Sequence, residues 1–325
     1  MGRKGKLTTL LRSVSELSIE DKKTIGKFIN DYKVEFTALI LQKKTLLKNV
    51  SLEQKLSQEI FDTTLPGTIF PRGHQHPLSQ VIAELVRIFH SFGFVVADGP
   101  EMESEFYNFE ALNIPPNHPA RDMQDTFYIE QTGKQPSLPS LGHLTSHEDP
   151  SLLRTHTSPV QVRIMQKYPP PISIIVPGRV YRHEAMDATH SCMFHQVEGL
   201  LVDKNVSFAD LKGTLTRFAQ LFFEKDVKTR FRPSYFPFTE PSAEMDISCL
   251  ICSGTGCRVC KQTGWVELLG SGMVNPKVFE EVRLDPDQYS GFAFGIGIER
   301  LAIFKYGVDD LRLFCENDLR FLKQF

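Results

Sequence analysis

Apolar and polar positions along the chain fall into two regimes. In the first, Ile25, Phe28, Ile29, Tyr32, Phe36 and Leu39 recur at the spacing of one helix face. Ser18 followed by Asp21 reads as an N-cap with an acidic first turn. No Pro or Gly interrupts from Lys27 to Leu65, so the spacing predicts a helix over 19–61. Such a helix is about 65 Å long at roughly 1.5 Å per residue. That is too long for a compact core and points to a projecting coiled-coil arm. The stretch LPGTIFPRGHQHP at 65–77 is rich in breakers and reads as a linker and domain boundary.

The second regime is built of shorter segments. Leu78, Val81, Ile82, Leu85, Phe89 and Phe92 mark an amphipathic helix that stops at Gly93. FVVA at 94–97 reads as a short buried strand, and strands are predicted at 172–176, 194–202, 231–238, 265–270 and 290–294. A helix is predicted over 207–226, with Asp210 three residues after a Ser207 cap. Residues 131–149 are polar and loop-like. Hairpin-length or irregular segments join the strands, and regular βαβ units are not seen. The expected class is therefore α+β, an antiparallel sheet with flanking helices and an N-terminal long-helix arm.

Composition narrows the picture. The chain has 325 residues, 41% apolar, enough for two domains and a large core. No apolar run approaches the roughly 20 residues that a membrane helix needs, and the N-terminus does not read as a signal peptide. A soluble, cytoplasmic protein with no membrane partner is expected. Net charge is −2, but residues 1–49 hold 11 Lys/Arg against 5 Asp/Glu, leaving 26 against 34 in the remainder. A basic arm on an acidic body suits contact with a polyanion; a solvated helix face is the alternative.

Four segments carry candidate chemistry. SGFAFGIGIER at 290–300 reads as a buried strand, a glycine-permitted close approach, and a helix start with Arg300 in its first turn. Free N–H groups and a guanidinium there suit a phosphate. Cys249, Cys252, Cys257 and Cys260 form paired CxxC turns that place four thiolates at tetrahedral zinc distance. With all four ligands Cys, no position stays open for water, so the site is structural. A similar CxxCxGxG pattern occurs in chaperone-type zinc modules, which leaves a non-catalytic zinc adaptor as an alternative. GRVYRHE at 178–184 ends a strand with Arg182 and Glu184 on one face, and FHQVEGLLV at 194–202 puts Phe194, Gln196 and Glu198 on one face. Aromatic, amide, carboxylate and Arg together suit a zwitterion activated by a nucleotide. In SYFPFTEP at 234–241, Phe236 and Phe238 alternate with Pro237 and so face the same way, with Glu240 beside them as a candidate Mg²⁺ ligand.

Taken in order, RTHTSPVQVR (154–163), GRVYRHE, FHQVEGL, RPSYFPFTEPSAE (232–244), LGSGMVNP (269–276) and SGFAFGIGIERLAI resemble the bacterial phenylalanyl-tRNA synthetase α-subunit family, over about residues 67–325. The resemblance implies a class II synthetase core that activates phenylalanine with ATP and transfers it to tRNA(Phe), as part of an α2β2 heterotetramer with a β subunit. It implies that Arg182 holds the α-phosphate and carboxylate region, and that Phe194 stacks on adenine with Glu184 and His190 nearby. Arg300 would grip the γ-phosphate. His156, Ser158, Gln161, Gln196 and Glu198 would surround the amino and carboxyl groups of L-phenylalanine. Phe236 and Phe238 would pack on its ring above Ala293, and Glu240 would bind Mg²⁺ shared with the β subunit. The Cys cluster would be a structural Zn²⁺ clip at 249–260. The family arm is a two-helix hairpin that touches tRNA. Here GRKGKLTTLL resembles the turn of that hairpin, which implies a helical arm over 1–66 lacking its first helix.

Overall fold

The computed structural model describes residues 5–14, 18–58, 64, 67, 73–121, 126–129, 150–184, 187, 191–223 and 226–325. It divides into two compact units, Met1–Arg72 and Gly73–Phe325. In the first unit, α1 (Lys6–Ser13) precedes α2 (Ile19–Gln58). The Ser18 hydroxyl oxygen accepts the Asp21 N–H at 3.4 Å, as the capping pattern requires, and the hydroxyl donates to the Asp21 carboxylate at 2.7 Å. The apolar stripe of α2 through Phe28, Tyr32, Phe36 and Leu39 is exposed. The helix end predicted at 61 and most of the 65–77 linker lie outside the described residues, as does the 131–149 loop.

The second unit holds α3 (Pro77–Ser91), β1 (Val95–Val96), β2 (Met102–Ser104), α4 (Glu105–Asn108), β3 (Ser151–Leu153), α5 (Pro159–Lys167), β4 (Ile172–Tyr181), β5 (Met193–Asp203) and α6 (Phe208–Phe223). It continues through β6 (Thr229–Phe236), β7 (Thr239–Ser248), β8 (Trp265–Val274), α7 (Pro276–Glu281), β9 (Ser290–Gly297), α8 (Ile298–Tyr306) and α9 (Leu319–Leu322). Seven strands form one sheet in the order β1-β4-β5-β9-β8-β7-β6, antiparallel except for the β1–β4 pair. The α+β reading and its antiparallel sheet are therefore found.

Period-two alternation sorts the two faces of the sheet. Val197, Phe292, Phe294 and Ile296 join the core covered by α3, α6 and α8, where the Phe89 ring stacks on Phe294 and on Phe218 at 5.0 Å each. Leu200, Val202, Val274 and Ala293 face the other way, toward α5 and α7. Gly199 permits this two-sided packing. It pairs with Phe294, and a Cβ on it would lie 2.1 Å from that ring. The start of α3 is tied to the chain end, for His76 Nδ1 accepts the Leu78 N–H at 3.2 Å while Nε2 lies 3.0 Å from the Phe314 carbonyl.

Three expectations change. The strand at 94–97 is reduced to Val95–Val96, which sit exposed on the sheet edge in parallel pairing with β4. The strand predicted over 231–238 is a hairpin: β6 ends at Phe236 and β7 begins at Thr239, because Pro237 cannot donate to the ladder. Strand β4 ends at Tyr181, so Arg182 and Glu184 share a loop and not a strand face.

Candidate active site

One cavity of about 620 Å³ opens on the α5 side of the sheet. Its walls come from β5, β8, β9, the β6–β7 hairpin, the segment before α5, and the segments around Phe109 and His118. Register fixes the floor. Ala293 lies between Leu200 and Gly272, and Gly295 lies between Glu198 and Gly270. A Cβ on Gly295 would come within 3.0 Å of Gln196 Nε2 and 3.3 Å of Glu198 Cγ, so glycine is what admits both polar side chains there.

Glu198 is the most constrained group. It is buried, and its carboxylate accepts the Thr157 N–H at 3.1 Å, the Ser158 hydroxyl at 2.5 Å and the Gln161 amide at 3.0 Å. Burial pushes its pKa up to about 7 despite those three donors. His156, next to Thr157 in the chain, lines the same cavity, its ring 6.1 Å from that of Phe238. Burial, with Arg182 and Arg154 adding to it, lowers His156 to about 3, so its imidazole stays neutral. Both His156 ring nitrogens and Gln196 Oε1 are buried with no hydrogen-bonding side chain or backbone group in good geometry among the described residues. Three orphaned polar atoms on one cavity wall are costly unless a ligand completes them.

The rings of Phe236 and Phe238 lie 6.2 Å apart at 23° and line the cavity opposite Ala293, so the expected pair survives the change from strand to hairpin. Arg182 lines the cavity, its Nε donating to the Thr155 carbonyl at 3.4 Å. Its guanidinium stands over the half-buried Phe194 ring at 5.1 Å, and that ring is not among the residues lining the cavity. Glu184 lines the cavity; His190 lies outside the described residues. Arg300 is exposed in the first turn of α8, 3.5 Å from Glu267, and is not a lining residue. Gly297 stands at the N-cap of α8, with no side chain to accept from the first N–H groups of the helix. Next to Arg300, Glu299 is buried and accepts the His195 backbone N–H at 2.9 Å and faces its Nδ1 at 2.7 Å, which fixes α8 against β5. Glu240 is exposed, 3.4 Å from the Asn275 amide and away from the cavity walls.

Residues 60–325 match the family described as tRNA synthetases class II core domain (F), and residues 1–56 match the aminoacyl tRNA synthetase class II N-terminal domain. The phenylalanine–tRNA ligase α subunit of Syntrophus aciditrophicus is 54% identical over 325 residues, covering 100% of this chain and 90% of that protein. That of Syntrophomonas wolfei is 56% identical over 327 residues, covering 100% and 91%. This chain belongs to the phenylalanine–tRNA ligase α-subunit family. It is thus an aminoacyl-tRNA ligase subunit with a class II core. The fold is also that of pyrrolysyl-tRNA synthetase from Desulfitobacterium hafniense, at a TM-score of 0.52 and 16% identity over 77% of this chain and 76% of that one.

The phenylalanine–tRNA ligase fold of this chain carries the four cysteines on the loop between β7 and β8. A tetrahedron with roughly 2.3 Å zinc–sulfur bonds has edges of about 3.8 Å. Cys249–Cys257 and Cys252–Cys260 are 3.8 Å apart and Cys257–Cys260 are 3.7 Å apart. Backbone N–H groups of Gly256, Cys257 and Gly264 point at the sulfurs of Cys252 and Cys260. Burial works against ionising Cys252, but the Gly256 N–H and the neighbouring thiols bring it down to about 6. The donor set fits a divalent metal. Among the described residues this is the one cluster of its kind.

Sequence reasoning missed several walls. Phe109, Ile114, His118, Thr126, Tyr235, Glu244 and Glu267 all line the cavity. The position of Glu267 on a strand with an otherwise apolar neighbourhood, WVELLG, was the available hint. The segment around Phe109 carries no local pattern that ties it to residues over a hundred positions later.

Proposed function

We propose that the cavity is where L-phenylalanine is activated by ATP, and that the observation carrying this is the wall of orphaned polar atoms beside Glu198. The ammonium of the amino acid completes Gln196 Oε1 and faces the Glu198 carboxylate. Its carboxylate lies toward His156 and Arg182, and its ring enters between the Phe236–Phe238 pair and Ala293. ATP lies on the Arg182 side, with adenine at Phe194 and Glu184, and with the γ-phosphate at Arg300 and the open start of α8. An oxygen of the phenylalanine carboxylate attacks the α-phosphorus and pyrophosphate leaves; no protein nucleophile takes part. Arg182 and Arg300 offset the developing charge. A terminal ribose hydroxyl of tRNA(Phe) then takes the acyl group and AMP leaves.

Mg²⁺ supplies charge neutralisation between phosphate oxygens when bound. Glu240 offers one exposed carboxylate of the six oxygens such an ion takes, which suits a site completed by the β subunit. The cysteine cluster holds a structural Zn²⁺ and takes no part in chemistry. The chain works in an α2β2 heterotetramer in the cytoplasm, residues 67–325 being catalytic and the 1–66 arm meeting tRNA. Ala293 and two phenyl rings offer no partner to a tyrosine hydroxyl, and an apolar pocket rejects an added hydroxyl by only about 10²-fold. Correction of tyrosine errors therefore belongs to the partner subunit.

ATP–pyrophosphate exchange by the chain co-expressed with its β subunit, run over a panel of amino acids, tests this reading. Exchange driven by phenylalanine, and far more weakly by tyrosine, is the expected result. Exchange driven best by a polar or aliphatic amino acid would overturn it.

A further inference from the structure

We infer that Tyr235, with His118, forms a stacking platform for the 3′-terminal adenine of tRNA at the mouth of the cavity. The inference rests on the cavity being the aminoacyl-adenylate site. In a regular strand consecutive side chains point to opposite faces, yet Tyr235 and Phe236 both line the cavity. The pairing of β6 with β7 shifts register between Ser234 and Phe236, so Tyr235 stands opposite no residue of β7. An irregularity of this kind re-aims a side chain. Phe236 turns inward against Phe238. Tyr235 stays 71% exposed, with its ring 6.4 Å from that of His118 and only 21° off parallel. Among the described lining residues it is the one large apolar side chain left exposed.

The reaction itself says what such a surface meets. Acyl transfer needs a ribose hydroxyl of the terminal nucleotide to reach the acyl carbon inside the cavity. The sugar enters and the attached base is left at the mouth, where it needs a flat partner. A tyrosine ring beside an imidazole offers that partner without requiring base-edge hydrogen bonds. A ring held for stability alone would be buried, as Phe109 is on the adjoining wall.

The test uses the chain co-expressed with its β subunit, as Tyr235→Ala and Tyr235→Phe. In Tyr235→Ala, phenylalanine-dependent ATP–pyrophosphate exchange should fall far less than tRNA charging. The KM for tRNA in charging should rise about 5- to 150-fold in Tyr235→Ala, the range set by losing one base–aromatic stack. Tyr235→Phe should restore it. In tRNA carrying 2-aminopurine as the terminal base, fluorescence should be quenched by the wild type and not by Tyr235→Ala. An unchanged KM and unchanged quenching would overturn the inference. So would an equal loss of exchange and charging, or failure of the β subunit to co-purify, since either would assign Tyr235 to the amino acid site or to a subunit interface. Absence of exchange in the wild type would instead overturn the reading of the cavity.

Discussion

Glu198 concentrates the electrostatics of the site in one side chain. Burial raises it from an ordinary 4.5 to about 7, against donation from Ser158, Thr157 and Gln161. Between those two values the folded chain holds more protons than the unfolded one, so this group makes stability fall as pH rises from 4.5 to about 7. Glu198→Gln should flatten that slope in denaturation midpoints measured across the window. Substrate binding runs the other way, because the ammonium of phenylalanine needs the ionised form. The KM for phenylalanine should rise as pH drops below about 7, approaching tenfold per unit, and the inflection should vanish in Glu198→Gln. A wild-type KM flat from pH 6 to pH 8 would remove Glu198 from the ammonium site. At this scale the sequence was readable in part. The alternation of Phe194, Gln196 and Glu198 marked one strand face, but Phe194 is not among the residues lining the cavity and carries the Arg182 guanidinium over its ring. No pattern could reveal that, since it depends on where the loop after β4 returns.

At the scale of elements, the β5–β9 pair carries both the core and the cavity floor. Gly199 allows the Phe294 ring to lie across it, and an added methyl would sit 2.1 Å from that ring. Gly199→Ala should destabilise the chain by about 1–3 kcal/mol through overpacking, seen as a lower urea midpoint with unchanged m. The cysteine loop makes a second case. Cys257→Ser should remove bound zinc, measured on the purified protein by elemental analysis; an unchanged zinc content would refute the clip. Local spacing made that loop legible, because all four ligands lie within twelve residues. The β6–β7 hairpin was misread for the opposite reason. Phe236 and Phe238 look like alternating strand positions, and only pairing with Thr239 exposes the turn at Pro237. Likewise the apolar run at 94–97 looked buried, but what covers an edge strand is decided by neighbours far away in sequence.

On the scale of the whole molecule, a sheet order of β1-β4-β5-β9-β8-β7-β6 brings residues from 109 to 295 around one cavity. Several separate motifs in order made the family legible, whereas the walls from Phe109 to Thr126 were not, since nothing local links them to the sheet. In the proposed reaction phenylalanine is activated with its ring resting on Ala293. Ala293 is buried at the cavity floor, so Ala293→Gly enlarges the ring space and leaves the polar wall intact. The most direct measurement is ATP–pyrophosphate exchange by the chain with its β subunit, using phenylalanine and p-chlorophenylalanine, for wild type and Ala293→Gly. Phenylalanine-dependent exchange is expected in both, with p-chlorophenylalanine-dependent exchange gained by the variant. A variant that still activates phenylalanine but responds to p-chlorophenylalanine no better than wild type would contradict it.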